Sequence, residues 1–491
     1  MSRYTTSKFD TILSFSRFLR GLELPRAPLE VFLEVSNVCD LKCAMCTTFS
    51  ALNPHRFSAL RQEERGFLQP DEVVTNMEEV LRGALQVMCS GYGEPTVHPD
   101  FKEFISFLSQ YEVLIKFITN GMHIDLPMAE FLVDKKVFGL MVSFSGITKK
   151  DYENTYLGGN FERVLAGVRH IADVKARSGT QYPRIEINSL AYRHHVEHFD
   201  RFVEMMADAG ADVVYLKGLQ PYDHIPELFE HVSIMRPWIE GPIIERAIEI
   251  GRARGVLVDC SQYVADQALS PENYEERIRN FRERAVLGLE GKKFGSNPID
   301  TFPAVRRQQH PSGGANSSRP TTFVPLDAPD DLAWQQLEIG RLPELEASPF
   351  YCMEPFKTMY VRKNGAVKPC CFNDEVPFLG SIATHSATEI WQGSGYRAFR
   401  NAIASGAYPQ KHCGWCIRGR VGPTSHWAGN VVDGFLKWYG AEHSPELVRE
   451  LVEADPDIWS TFSRSNAEVV AALHSENLVD LKNVRQLVES V

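Results

Sequence analysis

The chain of 491 residues has no run of about 20 apolar residues, the length a membrane-spanning helix needs, so no membrane span is expected. Its first residues, Met1 to Lys8, lack the apolar stretch of a secretion signal. The segment 9–22 reads as a short amphipathic helix, expected to pack on the core rather than anchor to a bilayer. No basic tract stands out and the net charge is −11, so nucleic acid is not an expected partner. No internal repeat is visible. Disulfides are not expected either. Ten cysteines in a large chain without a secretion signal, seven of them in two groups with ligand-like spacing, argue for metal in a reducing cytoplasm.

What is present is a globular composition, 44% hydrophobic and 23% charged, in a chain long enough for two or three domains. From 28 to 263 short apolar runs alternate with amphipathic stretches. Strands are predicted at 29–35, 85–88, 113–118, 137–143, 185–190 and 213–216, with helices between them and a last strand at 255–259. Repeated strand–helix units imply an α/β fold with a parallel sheet and helices outside, here a partial (β/α)6 barrel. Reactive groups then belong at the C-terminal ends of the strands. Residues 1–27 form an N-terminal helical extension. Residues 264–349 read as a linker with an insertion, 350–420 as a second cysteine-rich unit, and 421–491 as a helical tail.

Cys39, Cys43 and Cys46 stand in a C-x3-C-x2-C segment directly after the first predicted strand. Three thiolates on a four-iron cluster leave one iron open for a substrate or cofactor. The alternatives are a zinc site, although zinc favours four ligands in paired C-x2-C units, or three thiols close by chance. The spacing resembles the signature of the radical S-adenosylmethionine (SAM) enzymes. That resemblance implies that the open iron chelates the amino and carboxylate groups of SAM. It also implies that reductive cleavage gives a 5′-deoxyadenosyl radical. An external electron donor such as flavodoxin or ferredoxin is then a required partner.

Further segments are similar to elements of the same family. Gly91-Tyr92-Gly93-Glu94-Pro95 resembles its "GGEP" loop, with Tyr92 in place of a glycine. The resemblance gives Gly93 a close backbone approach to SAM and Glu94 the SAM ammonium. Thr119-Asn120-Gly121 resembles a "TNG" element, in which Asn120 either binds cofactor or forms a turn. Ser143, two residues before Ser145, and Arg193 fall where relatives contact SAM. Met45 resembles the residue that packs on the adenine, with a core role equally open.

In the second group, Cys352 and Cys370 flank a hairpin pattern whose turn is Asn364-Gly365. Cys413 and Cys416 add a C-x2-C pair. The unit resembles the SPASM and twitch domains of radical SAM enzymes. That implies one auxiliary [4Fe–4S] cluster on Cys352, Cys370, Cys413 and Cys416, against a structural four-cysteine zinc site as the alternative. Cys89, Cys260 and Cys371 are left over. Each is a buried thiol by default. Cys260, ending the last predicted strand, is the candidate hydrogen-atom donor. With only 1–27 ahead of the barrel, there is no room there for a leader-recognition domain. The expected reaction is therefore radical chemistry at a carbinol carbon of a sugar-like substrate, as in antibiotic-pathway isomerases and oxidoreductases, with epimerisation favoured. A sugar or aminocyclitol dehydrogenase and a peptide maturase are the alternatives within the family. An iron–sulfur electron carrier is the alternative outside enzymes.

Overall fold

The computed structural model describes residues 5–19, 24–54, 65–219, 225–233, 238–260, 352–370, 378–404 and 425–443. It adds a few isolated positions, Cys413 among them. Cys371, Cys416 and most of the 264–349 linker lie outside the described residues.

Seven parallel strands follow one another: β1 (Glu30–Leu33), β2 (Gln86–Cys89), β3 (Leu114–Thr119), β4 (Gly139–Ser143), β5 (Arg184–Leu190), β6 (Val213–Lys217) and β7 (Leu257–Asp259). Helices return the chain between them, chiefly α2 (Pro70–Gly83), α3 (Phe101–Ser109), α4 (Leu126–Asp134), α5 (Lys149–Thr155), α6 (Phe161–Ser178), α7 (Arg193–Val196), α8 (Phe199–Asp208) and α9 (Gly241–Arg254). Local chemistry fixes their ends. Asp125 caps α4 by accepting from Met128 N at 2.9 Å, with Pro127 in the first turn. Asn160 caps α6, and Gly179, at a φ of +65°, closes it. Alternation along the strands sends Leu33, Val87, Phe117, Ile187 and Leu216 outward under the helices, each 1% exposed or less.

The expected hairpin is present as β9 (Thr358–Val361) and β10 (Ala366–Lys368), after β8 (Gly340–Arg341). It does not stand apart from the barrel. β9 pairs in parallel with β1, Glu30 opposite Thr358 and Leu33 opposite Val361. With β11 (Gly380–Ser381), one ten-stranded sheet results, in the order β11-β10-β9-β1-β2-β3-β4-β5-β6-β7. Among the described residues no pairing joins β7 to β11. A two-stranded ribbon links β8 to β12 (Ala407–Tyr408).

The N-terminal helix α1 (Thr5–Leu19) is a core element, as expected. Phe18 stacks on Phe356 at 4.9 Å, and Phe15 is wholly buried. α10 (Glu354–Lys357), α11 (Ala387–Gln392) and α12 (Ser394–Ala404) surround the hairpin. Of the expected helical tail, all but one residue of 444–491 lies outside the described residues, and α13 (Ser425–Glu442) lies under the N-terminal ends of the strands. There Glu442 accepts from Lys136 Nζ at 2.8 Å and from Thr180 Oγ1 at 3.3 Å. No helix of the described residues is long and apolar enough to cross a membrane.

Lys8 of α1 is fully buried, and its Nζ donates to Ala84 O at 2.7 Å and Leu81 O at 3.4 Å, at the carboxyl end of α2. Burial pulls its ammonium down to about 7, against an upward pull from Glu112. Between that value and the ordinary 10.5 the unfolded chain holds the proton and the folded one does not, so this group makes stability rise with pH. The stability of wild type minus that of Lys8→Met is therefore expected to rise from about pH 7 to about pH 10 in urea unfolding. A gap independent of pH would show that Lys8 is buried as the ammonium.

Candidate functional site

The loop after β1 carries Cys39, Cys43 and Cys46, all half-buried, at the C-terminal end of the sheet. Backbone bonds dock this loop on the segment after α5: Ala44 N donates to Thr155 O at 3.0 Å and Lys42 N to Leu157 O at 2.9 Å. Phe49 N points at Cys46 Sγ at 3.2 Å. Asp40, between two of the cysteines, accepts from Asn120 Nδ2 at 2.8 Å and meets His123 Nε2 at 2.9 Å. Burial alone would raise the Asp40 carboxyl, but these two bonds hold it below its ordinary value. Burial pushes the Cys39 thiol up to about 12, with the charges of Glu94, Asp40 and Cys46 adding to it. Cys43 is pushed higher by burial and by its two partner thiols.

The donor set fits an iron–sulfur cluster. Three thiols that oppose one another's ionisation call for a cationic centre. Among the described residues the buried hydroxyls of Tyr152 and Tyr192 have no hydrogen-bond partner, and both phenols feel the charge of Cys43. They are donors awaiting an acceptor beside this loop. Among the described residues no three Cys, His, Asp or Glu side chains converge as ligands of a single metal ion would. A polynuclear cluster spreads its thiolates over separate irons and does not need that convergence.

The Gly91–Glu94 loop lies against the cysteine loop. Gly93 N donates to Ser36 O at 3.2 Å and Glu94 N to Val38 O at 2.8 Å. A Cβ at Gly93 would sit 2.4 Å from Val38 O, so glycine is required here by the chain's own backbone. Glu94 is 3% exposed. Its Oε1 accepts from Thr96 N, Thr96 Oγ1 and Thr119 Oγ1 at 3.1, 2.5 and 2.7 Å, and its Oε2 from Asn120 N at 2.6 Å. Burial raises the Glu94 carboxyl, and these donors pull it back. Oε1 is crowded, whereas Oε2 has one described donor. The Asn120 amide is engaged at both ends, by Asp40 and by Met122 N at 2.9 Å, so it braces the cysteine loop.

The other expected contacts divide. Met45 is half-buried against Tyr192, Leu219, Phe229 and Val232, which suits an apolar role. Ser143 lies at the end of β4 on the inward face, opposite Asn188. Ser145 is fully buried and bonded to Tyr156 and Leu190 N at 3.1 and 2.9 Å. Arg193 is exposed at the start of α7.

The inward face of the sheet carries a polar band that sequence patterning did not reveal. Lys116 Nζ meets Glu186 Oε1 at 3.2 Å. Lys217 Nζ lies 4.0 Å from Met141 Sδ and 5.3 Å from the Tyr215 ring centre. Tyr215 stands opposite Asp259. Burial lowers the Lys217 ammonium, while Glu186 and Asp259 raise it. Cys260, the expected hydrogen-atom donor, lies one residue past the inward-facing Asp259 and is 2% exposed within the apolar core. Cys89 lies on the same outward side as Leu33 and Phe117, wholly buried, its thiol pushed up to about 12 by burial.

At the other end of the hairpin, Cys352 precedes α10 and Cys370 follows β10. The Cys352 thiol is raised by burial, then by the charges of Glu354, Cys413 and Cys370, so three of the four expected ligands lie within reach of one another's fields. Tyr396 donates to Lys368 O at 3.1 Å, two residues from Cys370.

The profile of the radical SAM superfamily matches residues 33–183, and that of SPASM, an iron–sulfur cluster-binding domain, matches residues 352–417. These domains imply a SAM-binding [4Fe–4S] cluster, an auxiliary cluster and SAM. The mycofactocin maturase MftC of Mycobacterium tuberculosis is 25% identical over 195 residues, 40% of this chain and 45% of that protein. A PqqA peptide cyclase of Gluconobacter oxydans is 26% identical over 239 residues, 48% of this chain and 61% of the cyclase. The chain thus spans about half the length of these curated relatives. Among solved structures, Streptococcus suis SuiB bound to S-adenosylmethionine aligns over 78% of this chain and 70% of its own, with a TM-score of 0.47 and 14% identity.

The hydrogen-bond pattern makes Glu94 more than a ligand contact. Glu94→Gln must aim an amide NH2 at a buried donor, whichever way it turns. An orphaned donor of this kind costs about 1–3 kcal/mol. The urea midpoint of Glu94→Gln is expected to fall even in protein stripped of iron and SAM. An unchanged midpoint would show that this four-donor network does not form.

Proposed function

Because the chain carries a radical SAM domain and a C-terminal SPASM domain, we propose that it is a radical SAM enzyme that modifies a peptide. When bound, the cluster and SAM supply one-electron chemistry able to remove hydrogen from an unactivated C–H bond. In this reading Cys39, Cys43 and Cys46 hold the SAM-binding cluster. The N–H of Phe49 and the hydroxyls of Tyr152 and Tyr192 would be the hydrogen-bond donors available to it. Glu94 Oε2 takes the ammonium of SAM through a charge-assisted bond. Met45 packs on its adenine, and Ser143 and Arg193 lie at the rim. Cys352, Cys370, Cys413 and Cys416 hold the auxiliary cluster. The cytoplasm, with flavodoxin or ferredoxin as electron donor, is the compartment that suits such reduced centres.

The substrate faces the inward side of the sheet, where Phe32, Met88, Met141 and Tyr215 are half-exposed. Lys217 Nζ, whose ammonium is disfavoured by burial, is placed to take a proton from an oxidised substrate. The observation that carries the peptide reading is the similarity to relatives named as a maturase and as peptide cyclases. The epimerase reading leaned on Cys260, and the burial of that thiol in the core removes one of its supports.

Anaerobically reconstituted protein is expected to hold about eight irons, as two four-iron clusters. Replacing Cys39, Cys43 and Cys46 by Ala should leave about four, and zinc in their place would overturn the auxiliary-cluster assignment. With SAM and reduced flavodoxin, 5′-deoxyadenosine formation should rise with a precursor peptide encoded beside the gene, and the peptide mass should change. Lys217→Met should depress peptide turnover while SAM binding persists. Stimulation by sugar nucleotides and not by peptides would return the assignment to carbohydrate chemistry.

A further inference from the structure

Glu34 is the residue after β1, and its carboxylate is wholly buried. Its Oε1 accepts from Tyr92 N, inside the Gly91–Glu94 loop, at 3.1 Å. Its Oε2 accepts from Arg362 Nε at 2.6 Å and from Lys363 N at 3.3 Å, both in the turn of the β9–β10 hairpin. The Arg362 guanidinium lies 5.0 Å from the centre of the Tyr92 ring. A Cβ at Gly91 would fall 2.3 Å from Glu34 Cγ, so the loop can lie on this carboxylate only because residue 91 is glycine. One buried anion thus holds two segments at once. One segment carries Glu94, and the other is the closed end of the hairpin whose open end bears Cys352 and Cys370.

We infer that Arg362, through Glu34 and the face of Tyr92, is a positioning residue for SAM: the C-terminal hairpin sets the loop that receives the cofactor. The arrangement also explains Tyr92, which stands where the superfamily element has glycine. The ring gives the guanidinium a surface to lie on, and the Tyr92 N–H gives the carboxylate its third donor. The coupling is reciprocal by linkage, so SAM binding must steady the hairpin as much as the hairpin steadies the loop. The inference rests on reading Gly91–Glu94 as the SAM loop.

Four proteins test it: wild type, Arg362→Lys, Arg362→Met and the paired Glu34→Leu/Arg362→Leu. Removing only the arginine strands a buried carboxylate and is expected to lower the melting temperature. The apolar pair avoids that cost. In reconstituted protein of normal iron content, Arg362→Lys and the apolar pair should bind SAM about tenfold or more weakly by calorimetry. Amide exchange across 358–368 should slow on adding SAM to wild type and not to the variants. An apolar pair that is stable and binds SAM with wild-type affinity would sink the inference, leaving the ion pair as a fastener of strands. Wild-type protein that holds its clusters but binds no SAM would instead sink the reading of the SAM loop.

Discussion

The parallel pairing of β9 with β1 is the contact on which the rest of the molecule depends. It turns a C-terminal cysteine-bearing hairpin into a strand of the barrel sheet and fixes the distance between the two cysteine sets. Buried charges fasten it at both ends. At the lower end Lys357, 1% exposed, meets Glu354 at 2.7 Å and Glu30 at 3.2 Å, and Glu30 is also bonded to Gln86. At the upper end stands Glu34 with Arg362. Buried ion pairs give little net stability against apolar substitutes. Their value here is register. A slip of one residue would part Lys357 from Glu30 and Arg362 from Glu34, so only one alignment of β9 on β1 satisfies both pairs.

The alternation of the strands separates the work of the two faces. Outward side chains form the apolar layer beneath the helices and include the thiols of Cys89 and Cys260. Inward ones are in part half-exposed, as at Lys116, Lys217 and Asp259, and in part buried, as at Glu186. Cysteine is therefore used in two ways. In the strands it is a small apolar filler with its proton held tightly. In the loops it gathers beside backbone N–H and phenol donors. The helix α13 closes the lower end of the strands, so the inward face opens chiefly toward the end that carries Cys39, Cys43 and Cys46.

Much of this organisation is legible in the sequence. The strands β1 to β6 stand within two residues of the apolar runs that announce them, and the Asn364-Gly365 turn gives the hairpin. The partner of that hairpin is not legible. The β9 segment, Thr358–Val361, is buried on both faces, so its sequence carries no alternation to say what lies beside it. Glu34 and Arg362 are 328 residues apart, and a single sequence holds no sign that one charge answers the other. The face of Cys260 depends on the register of β7 against β6, which puts Asp259 opposite Tyr215 and so turns the next residue away. Nor does the sequence tell that the side-chain amide of Asn120 bonds to Asp40, 80 residues earlier.

The long reach between β1 and β9 also bears on how the protein is made. β1 leaves the ribosome long before its partner, and its outer edge waits for a strand more than 300 residues downstream. At about 5–20 residues per second, that wait is on the order of half a minute. Throughout it, the backbone donors and acceptors of an apolar edge stand open to the wrong strand. Synthesis of this chain therefore poses a problem of order: the edge must be shielded until β9 arrives to seal β1.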